Sequence, residues 1–123
     1  MVKGIGIDIA HTERLETMLA RYDRETLLLI FTPGELDRAE KAPVPTLSLV
    51  LCFSAKEAMS KALGTGFSTI DWHEIESEVI GAGQIRITLS GKALRQAQSL
   101  AATGWVASVS TWEGQVVVTV VVE

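Results

Sequence analysis

The run from Thr46 to Leu63 is apolar almost all round, and it constrains the fold more than any other feature of the sequence. Pro43-Val44-Pro45 breaks the chain just before it, and Gly64 stands where helices favour glycine after their last turn. A helix without a polar face has to be enclosed by other elements. Since 123 residues make about one domain, we predict that residues 1–123 form a single domain around a buried central helix.

Strand signals flank this helix on both sides. From Val2 to Ile9, isoleucines alternate with Gly4, Gly6 and Asp8, which predicts a strand with a packed isoleucine face and a nearly bare opposite face. Two hairpins are predicted later, one from residues 75–80 and 84–89 across Gly81-Ala82-Gly83, the other from residues 105–111 and 115–122. The last strand is apolar on both faces, so we expect it in a core or a subunit interface.

Three further helices follow from capping and periodicity. Thr12 is predicted to cap a helix with apolar residues at Leu15, Met18, Leu19 and Tyr22. Thr32-Pro33-Gly34-Glu35 has the pattern of a capping box, with Phe31 and Leu36 at the positions of a hydrophobic staple. Ser90 is predicted to cap a helix that closes at Gly104. The order of elements predicts an α+β fold in which helices pack against an antiparallel sheet.

The composition argues against several functional classes. No apolar run approaches the ~18 to 20 residues that span a bilayer, so no membrane partner is expected. A formal net charge of −4 gives no general attraction to nucleic acid. The first residues lack the pattern of a signal peptide, and the single Cys52 cannot form an internal disulfide. Both observations favour a cytoplasmic protein.

The polar residues of the central helix lie on one stripe. At 100° per residue, Ser54, Glu57 and Lys61 fall within about 60° of one another. Taken alone, this stripe is explained by an ordinary glutamate–lysine pair on a solvated helix face. The alternative is that Glu57 and Lys61 face a metal or a ligand, because charged residues are rarely buried without partners.

Asp8 is a second candidate, at the end of the first strand. It lies on the face where Gly4 and Gly6 leave room for a ligand or a second backbone. An ordinary strand-end aspartate is the alternative explanation. If Asp8 meets Glu57, the two carboxylates suit Mg²⁺, which takes its remaining ligands from water and substrate phosphates.

Two motifs resemble those of a known family. Ile5-Gly6-Ile7-Asp8 resembles the first motif of the 4′-phosphopantetheinyl transferases, and the run from Phe53 to Lys61, followed by Ala62-Leu63-Gly64-Thr65-Gly66, resembles the second. Length and element order are similar to the small branch of that family, the holo-acyl-carrier-protein synthases. The resemblance implies transfer of 4′-phosphopantetheine from coenzyme A to a serine of an apo-acyl-carrier protein, with release of 3′,5′-ADP.

The resemblance also implies roles for particular residues. Asp8 and Glu57 match the Mg²⁺ ligands of the family, and Lys61 matches the lysine that contacts the phosphates of coenzyme A; these three form the expected catalytic set. Further coenzyme A contacts are expected from Ser60, Gly64 and Ser110. Either Glu57, acting through a water, or a carboxylate of the carrier protein takes the serine proton.

Partners follow from the same resemblance. An acidic carrier protein is expected to dock on the first helix, where Arg14, Met18 and Arg21 form one stripe and Arg24 follows. A solvated basic face is the ordinary explanation of such a stripe. The small branch is trimeric, which implies a homotrimer with active sites between subunits. The aspartate strand is then expected from one subunit and the central helix from the next.

Three positions depart from the family pattern on the coenzyme A side. Cys52 replaces a usual arginine, Thr111 replaces a histidine, and Gly83-Gln84 replaces a Gly-Lys-Pro element. They support an alternative hypothesis, a non-catalytic carrier-protein binding module with the same fold. The intact set of Asp8, Glu57 and Lys61 favours the enzyme, because a module without catalysis needs no such set.

Overall fold

The computed structural model describes residues 1–123 and contains a single five-stranded sheet packed by helices. The strand order is β1-β5-β4-β3-β2, and every neighbouring pair is antiparallel. The predicted α+β fold is confirmed. No helix has both the length and the apolarity needed to cross a membrane. In chain order the elements are β1 (Gly4–His11), α1 (Thr12–Leu19), α2 (Arg24–Leu27), α3 (Pro33–Lys41), α4 (Pro45–Ala62), a 3₁₀ turn (Trp72–Glu74), β2 (Ile75–Gly81), β3 (Gln84–Leu89), α5 (Gly91–Ser99), β4 (Trp105–Trp112) and β5 (Gln115–Val122).

Helix α4 occupies the centre of the core, as the sequence predicts. It packs against strands β1, β5 and β2 and against helices α1 and α3. It also ends where predicted, because Gly64 takes a φ of +81°, a value that favours glycine. The Thr65 N–H donates to the Ser60 carbonyl at 3.3 Å, and the Gly64 N–H donates to the Lys61 carbonyl at 3.0 Å. These two bonds form a Schellman motif, which satisfies the last helical carbonyls.

Strand β1 lies against α4 through its glycines, which reverses the predicted packing. A Cβ on Gly4 would lie 2.0 Å from the carbonyl oxygen of Ala62, and a Cβ on Gly6 would lie 1.8 Å from that of Ala58. Only glycine allows two backbones to come this close. The prediction of a packed isoleucine face is wrong, because the bare face of the strand receives the helix.

The isoleucines of β1 lie on the other side of the sheet. Ile5, Ile7 and Ile9 are 59 %, 50 % and 63 % exposed. The alternate valines of β5 that face α4 are fully buried, whereas those beside the isoleucines are half-buried. The expectation that β5 enters a core is therefore confirmed for one of its faces. We call the other side the open sheet face, and its apolar members are Ile5, Ile7, Ile9, Val106, Val117 and Val121.

The first helix differs from its prediction at both ends. His11 rather than Thr12 is the N-cap, and its Nδ1 accepts the Arg14 N–H at 3.3 Å. The helix ends at Leu19, so Tyr22 lies outside it. Helix α2, capped by the Asp23 side chain, has no counterpart in the sequence predictions.

Helix α5 is shorter than predicted and is capped differently. It ends at Ser99 rather than at Gly104, and Ala101 then takes a positive φ. Ser90 is the N-cap residue, but its hydroxyl makes no capping bond. The Glu74 carboxylate accepts the Lys92 N–H instead, a contact between distant segments that no local pattern reveals.

Replacing Gly6 with alanine tests the close contact between β1 and α4. We expect Gly6→Ala to lower the free energy of unfolding by about 3 kcal/mol or more, because the new Cβ meets backbone atoms that cannot rotate away. Gly104→Ala is the matched control, since nothing lies within 4 Å of its added Cβ. Urea denaturation at one fixed protein concentration measures both variants. Similar losses in the two variants would contradict the close-contact explanation.

Candidate active site

One open cavity of about 950 Å³ lies between the second half of β1, helix α1 and the middle of α4. Asp8 and Glu57 line it, which brings together the strand aspartate and the helix glutamate of the two sequence motifs. Arg14, Met18 and Arg21 line the same cavity. The carboxylates and the basic stripe therefore share a single recess.

Asp8 reaches the helix because it lies on the same side of β1 as Gly6. Its side chain is only 14 % exposed, and its Oδ1 lies 3.2 Å from Nζ of Lys61. The same ammonium donates to the Ile7 carbonyl at 3.2 Å. Lys61 thus links the first motif to the second within one chain, and its own side chain is 49 % exposed.

Glu57 is half-buried, and its carboxylate accepts no hydrogen bond within the chain. Burial and then the negative charge of Asp8 raise the pKa of its carboxyl, while Lys61 acts in the opposite direction. A cation in the cavity would relieve both causes. The third member of the stripe, Ser54, points inward, and its buried hydroxyl has no hydrogen-bond partner.

The donor set fits Mg²⁺. The chain holds no group of three or more metal-ligating side chains, so Asp8 and Glu57 would hold a metal ion in this cavity without a third protein ligand. Mg²⁺ commonly binds through one or two carboxylates and completes its octahedron with waters and substrate phosphates. Hard carboxylate oxygens match that preference, and the one imidazole that lines the cavity, His11, caps helix α1 by accepting the Arg14 N–H.

The predicted basic stripe is only partly assembled. Arg14 and Met18 lie on α1, and Arg21 lies in the turn that follows, yet all three line the cavity. Arg24 does not line it. Its guanidinium pairs with Asp37 at 3.3 Å and with Glu40, both on α3. Because these ion pairs occupy Arg24, it stands apart from the other three residues.

The residues expected at coenzyme A are dispersed. Ser60 is buried, and its hydroxyl donates to the Glu57 carbonyl at 2.7 Å. Gly64 is exposed at the end of α4. Ser110 pairs with Val117 and lies on the open sheet face, opposite to Asp8. Within one chain the structure therefore does not bring these three residues to the carboxylates.

Cys52, which stands where the family pattern usually has an arginine, is a core residue of the structure. The thiol is buried in α4, and burial raises its pKa to about 11. Its sulfur contacts the Ser77 carbonyl at 3.9 Å.

The expected exchange of elements between subunits is wrong for the metal side. Strand β1 packs against α4 of the same chain, and Asp8, Glu57 and Lys61 meet without a partner subunit. The glycine contacts explain this, since they bury one face of β1 against its own helix.

Sequence reasoning missed Lys56, which precedes Glu57. Its side chain is fully buried and pairs with Glu35 at 2.8 Å. It also donates to the carbonyl of Trp72 at 2.9 Å and to that of Ile75. Burial lowers the pKa of the ammonium, and Glu35 opposes that shift. The FSAKEAMSK run gave no signal that this lysine points inward.

Glu35 completes the network as both a helix cap and an ion-pair partner. Its Oε1 accepts the Thr32 N–H at 2.9 Å, and its own N–H donates to the Thr32 hydroxyl at 3.1 Å, so the predicted capping box is confirmed. Its Oε2 accepts from the N–H and hydroxyl of Ser77. Every charged atom of the buried pair is thereby satisfied.

An aromatic stack links this network to the cavity. Phe53 lines the cavity, and its ring stacks on Trp72 with centroids 5.1 Å apart. The Phe67 ring also stacks on Trp72, with centroids 3.8 Å apart. Since Lys56 holds the Trp72 carbonyl, the buried ion pair supports one wall of the cavity.

Known proteins are similar to this chain over most of its length. The family model of the 4′-phosphopantetheinyl transferase superfamily matches residues 4–121. The holo-[acyl-carrier-protein] synthase of Solidesulfovibrio magneticus is 41% identical over 111 residues, which are 89% of this chain and 89% of that protein. The one of Desulforudis audaxviator is 38% identical over 112 residues, covering 89% of this chain and 84% of that protein.

Solved structures are similar over the whole fold. The holo-[acyl-carrier-protein] synthase of Neisseria meningitidis superposes with a TM-score of 0.85 at 30% identity, over 100% of this chain and 99% of that one. The Helicobacter pylori enzyme in complex with coenzyme A gives 0.77 at 28% identity, over 97% and 99% of the two chains.

The chain belongs to the 4′-phosphopantetheinyl transferase superfamily. Within it, the chain is one of the holo-[acyl-carrier-protein] synthases, since these relatives match it almost end to end. The family resemblance read from the two motifs is thus confirmed.

The buried ion pair predicts an asymmetric response to substitution. Lys56→Met should lower the free energy of unfolding by about 3 to 5 kcal/mol, because it leaves Glu35 charged, buried and unpaired. The double variant Lys56→Met with Glu35→Gln should lose less than the sum of the single variants. Lys92→Met is the control, since Lys92 forms an exposed pair with Asp71 at 3.4 Å, and it should change stability by about 1 kcal/mol at most. Urea denaturation gives all four values, and a Lys56→Met loss as small as that of Lys92→Met would refute this role.

Proposed function

We propose that this chain transfers 4′-phosphopantetheine from coenzyme A to a serine of an apo-acyl-carrier protein, with Mg²⁺ held by Asp8 and Glu57. The observation that carries the proposal is the single cavity, which combines two carboxylates, a neighbouring lysine and an arginine-lined rim. Its full-length similarity to holo-[acyl-carrier-protein] synthases supports the same reaction.

The chemistry accounts for these residue types. The serine oxygen forms a bond to the β-phosphorus of coenzyme A, the bond from that phosphorus to the departing 3′,5′-ADP breaks, and the serine proton is released. When bound, Mg²⁺ offsets the negative charge that grows on the phosphate oxygens. Lys61 is the one ammonium beside Asp8, and it supplies a second positive charge to the phosphates.

The carrier protein docks on the arginine rim in this proposal. Arg14 and Arg21 are exposed, and Met18 offers an apolar contact between them. An acidic carrier helix complements that surface. Docking there brings the carrier serine over the carboxylates, because the rim and the carboxylates belong to one cavity.

We also propose that the chain assembles as a homotrimer through the open sheet face. Monomers rarely expose so many large apolar residues together. Ser110 lies on the same face, so a neighbouring subunit packed there would bury it and place it beside residues of another chain. A completed coenzyme A site between subunits accounts for the dispersal of Ser60, Gly64 and Ser110 within one chain. Bound coenzyme A in the Helicobacter pylori relative supports a coenzyme site on this fold.

Intact-mass measurement of an apo-acyl-carrier protein tests the proposed reaction. With this protein, coenzyme A and Mg²⁺, the carrier should gain the mass of phosphopantetheine. We expect Glu57→Ala to slow the gain at least about a hundredfold, since one of two metal ligands is lost. Glu25→Ala is the control, because Glu25 is exposed and has no partner. No gain with any of several carriers would favour the non-catalytic binding module, to which Cys52 and Thr111 lend support.

Charge reversal on the rim tests the docking surface. We expect Arg14→Glu with Arg21→Glu to raise the KM for the carrier about tenfold or more and to leave kcat nearly unchanged, because these groups steer association rather than chemistry. The effect should shrink at high salt, where exposed charges are screened. Arg95→Glu on exposed α5 is the matched control. A fall in kcat at constant KM would place these arginines elsewhere in the mechanism.

A further inference from the structure

The carboxylate of Asp8 already has a cation beside it within the chain. Nζ of Lys61 lies 3.2 Å from Asp8 Oδ1 and 3.2 Å from the Ile7 carbonyl oxygen. Asp8 makes no other ion pair or side-chain hydrogen bond, and the Lys61 ammonium makes no contact beyond these two. The neighbouring Glu57 carboxylate has no partner at all. The three groups together therefore carry two negative charges and one positive charge.

An ammonium and a metal ion cannot share this aspartate freely. The Asp8 side chain is only 14 % exposed, so little of its carboxylate is open to the cavity. Mg²⁺ requires oxygen ligands at about 2.0 to 2.1 Å in near-octahedral geometry. A lysine hydrogen-bonded to Oδ1 takes part of that space and adds a repulsive positive charge.

Lys61 is free to leave, unlike the other lysine of α4. Its side chain is 49 % exposed on a flexible four-carbon stem, so water can solvate the ammonium in place of Asp8. Lys56, in contrast, is fully buried against Glu35 and two carbonyls. A divalent ion supplies two positive charges to both carboxylates, which one ammonium cannot do.

We propose that Lys61 is a displaceable counter-ion of the metal site, whose ammonium occupies Asp8 until a divalent cation binds and drives it toward the cavity mouth. The exchange keeps the two carboxylates compensated without metal. It also frees an ammonium beside the bound cation, where an anionic phosphate is the group that both would recognise. This inference rests on the proposed function, in which Asp8 and Glu57 hold the metal.

A titration with Mn²⁺ alone tests the exchange without any turnover. Electron paramagnetic resonance measures the concentration of free Mn²⁺ and so gives the affinity of the protein for the ion. Lys61→Met should bind Mn²⁺ about three- to fivefold more tightly than the unchanged protein, since the competing ammonium is gone. Arg14→Met controls for the general loss of positive charge, because Arg14 lines the cavity but contacts neither carboxylate; it should change affinity less than twofold. Lys92→Met, which breaks a similar pair elsewhere, should change nothing.

The outcomes separate this inference from the proposed function. If Lys61→Met binds Mn²⁺ no more tightly than Arg14→Met does, the exchange is overturned. The metal site would still be supported in that case if Mn²⁺ binding to the unchanged protein depends on Asp8. If the unchanged protein shows no Mn²⁺ binding that the Asp8→Asn substitution removes, both the exchange and the proposed metal site are overturned. Thermal melting checks that Lys61→Met still folds. Without metal, Lys61→Met should have a lower melting temperature than the unchanged protein, and saturating Mn²⁺ should raise the melting temperature of Lys61→Met more than that of the unchanged protein.

Discussion

The close approach of strand β1 to helix α4 is the constraint on which the rest of the structure depends. Gly4 and Gly6 face the carbonyl oxygens of Ala62 and Ala58 at distances that leave no room for a Cβ. Two residues beyond Gly6, Asp8 therefore emerges directly beside the helix. The close backbone contact thus brings the Asp8 carboxylate near Glu57 and Lys61 of the helix.

The two lysines of α4 show how burial decides the role of one residue type. Lys56 and Lys61 are five positions apart, which turns them about 140° from each other around the helix. Lys56 enters the core, where Glu35 and backbone carbonyls satisfy it completely and removal of either partner leaves a buried charge. The Lys61 side chain is 49 % exposed, so water is an alternative partner to Asp8. One lysine is enclosed in the core, and the other is half in solvent.

Charge and apolar surface are separated across the sheet. On the α4 side, the cavity combines half-buried carboxylates with exposed arginines. Salt screens the exposed arginines more strongly than the half-buried carboxylates. On the other side, the exposed side chains of Ile5, Ile7 and Ile9 lie beside the half-buried residues of β5 and extend its apolar surface. A second subunit on that open sheet face would bury the apolar surface without obstructing the cavity that faces the helix.

The sequence by itself determined most of the elements and indicated the candidate site residues. The capping box at Thr32, the glycine stop of α4 and the hairpins depend on neighbouring residues, so capping patterns and periodicity reveal them. The two motifs are identified by their resemblance to those of a known family. Only the tertiary structure decided which face of β1 is packed, that Lys56 meets Glu35, that Arg24 turns to α3, and that Asp8 and Lys61 belong to one chain. Each of these depends on groups far apart in sequence, and their distance and burial exist only once the chain has folded.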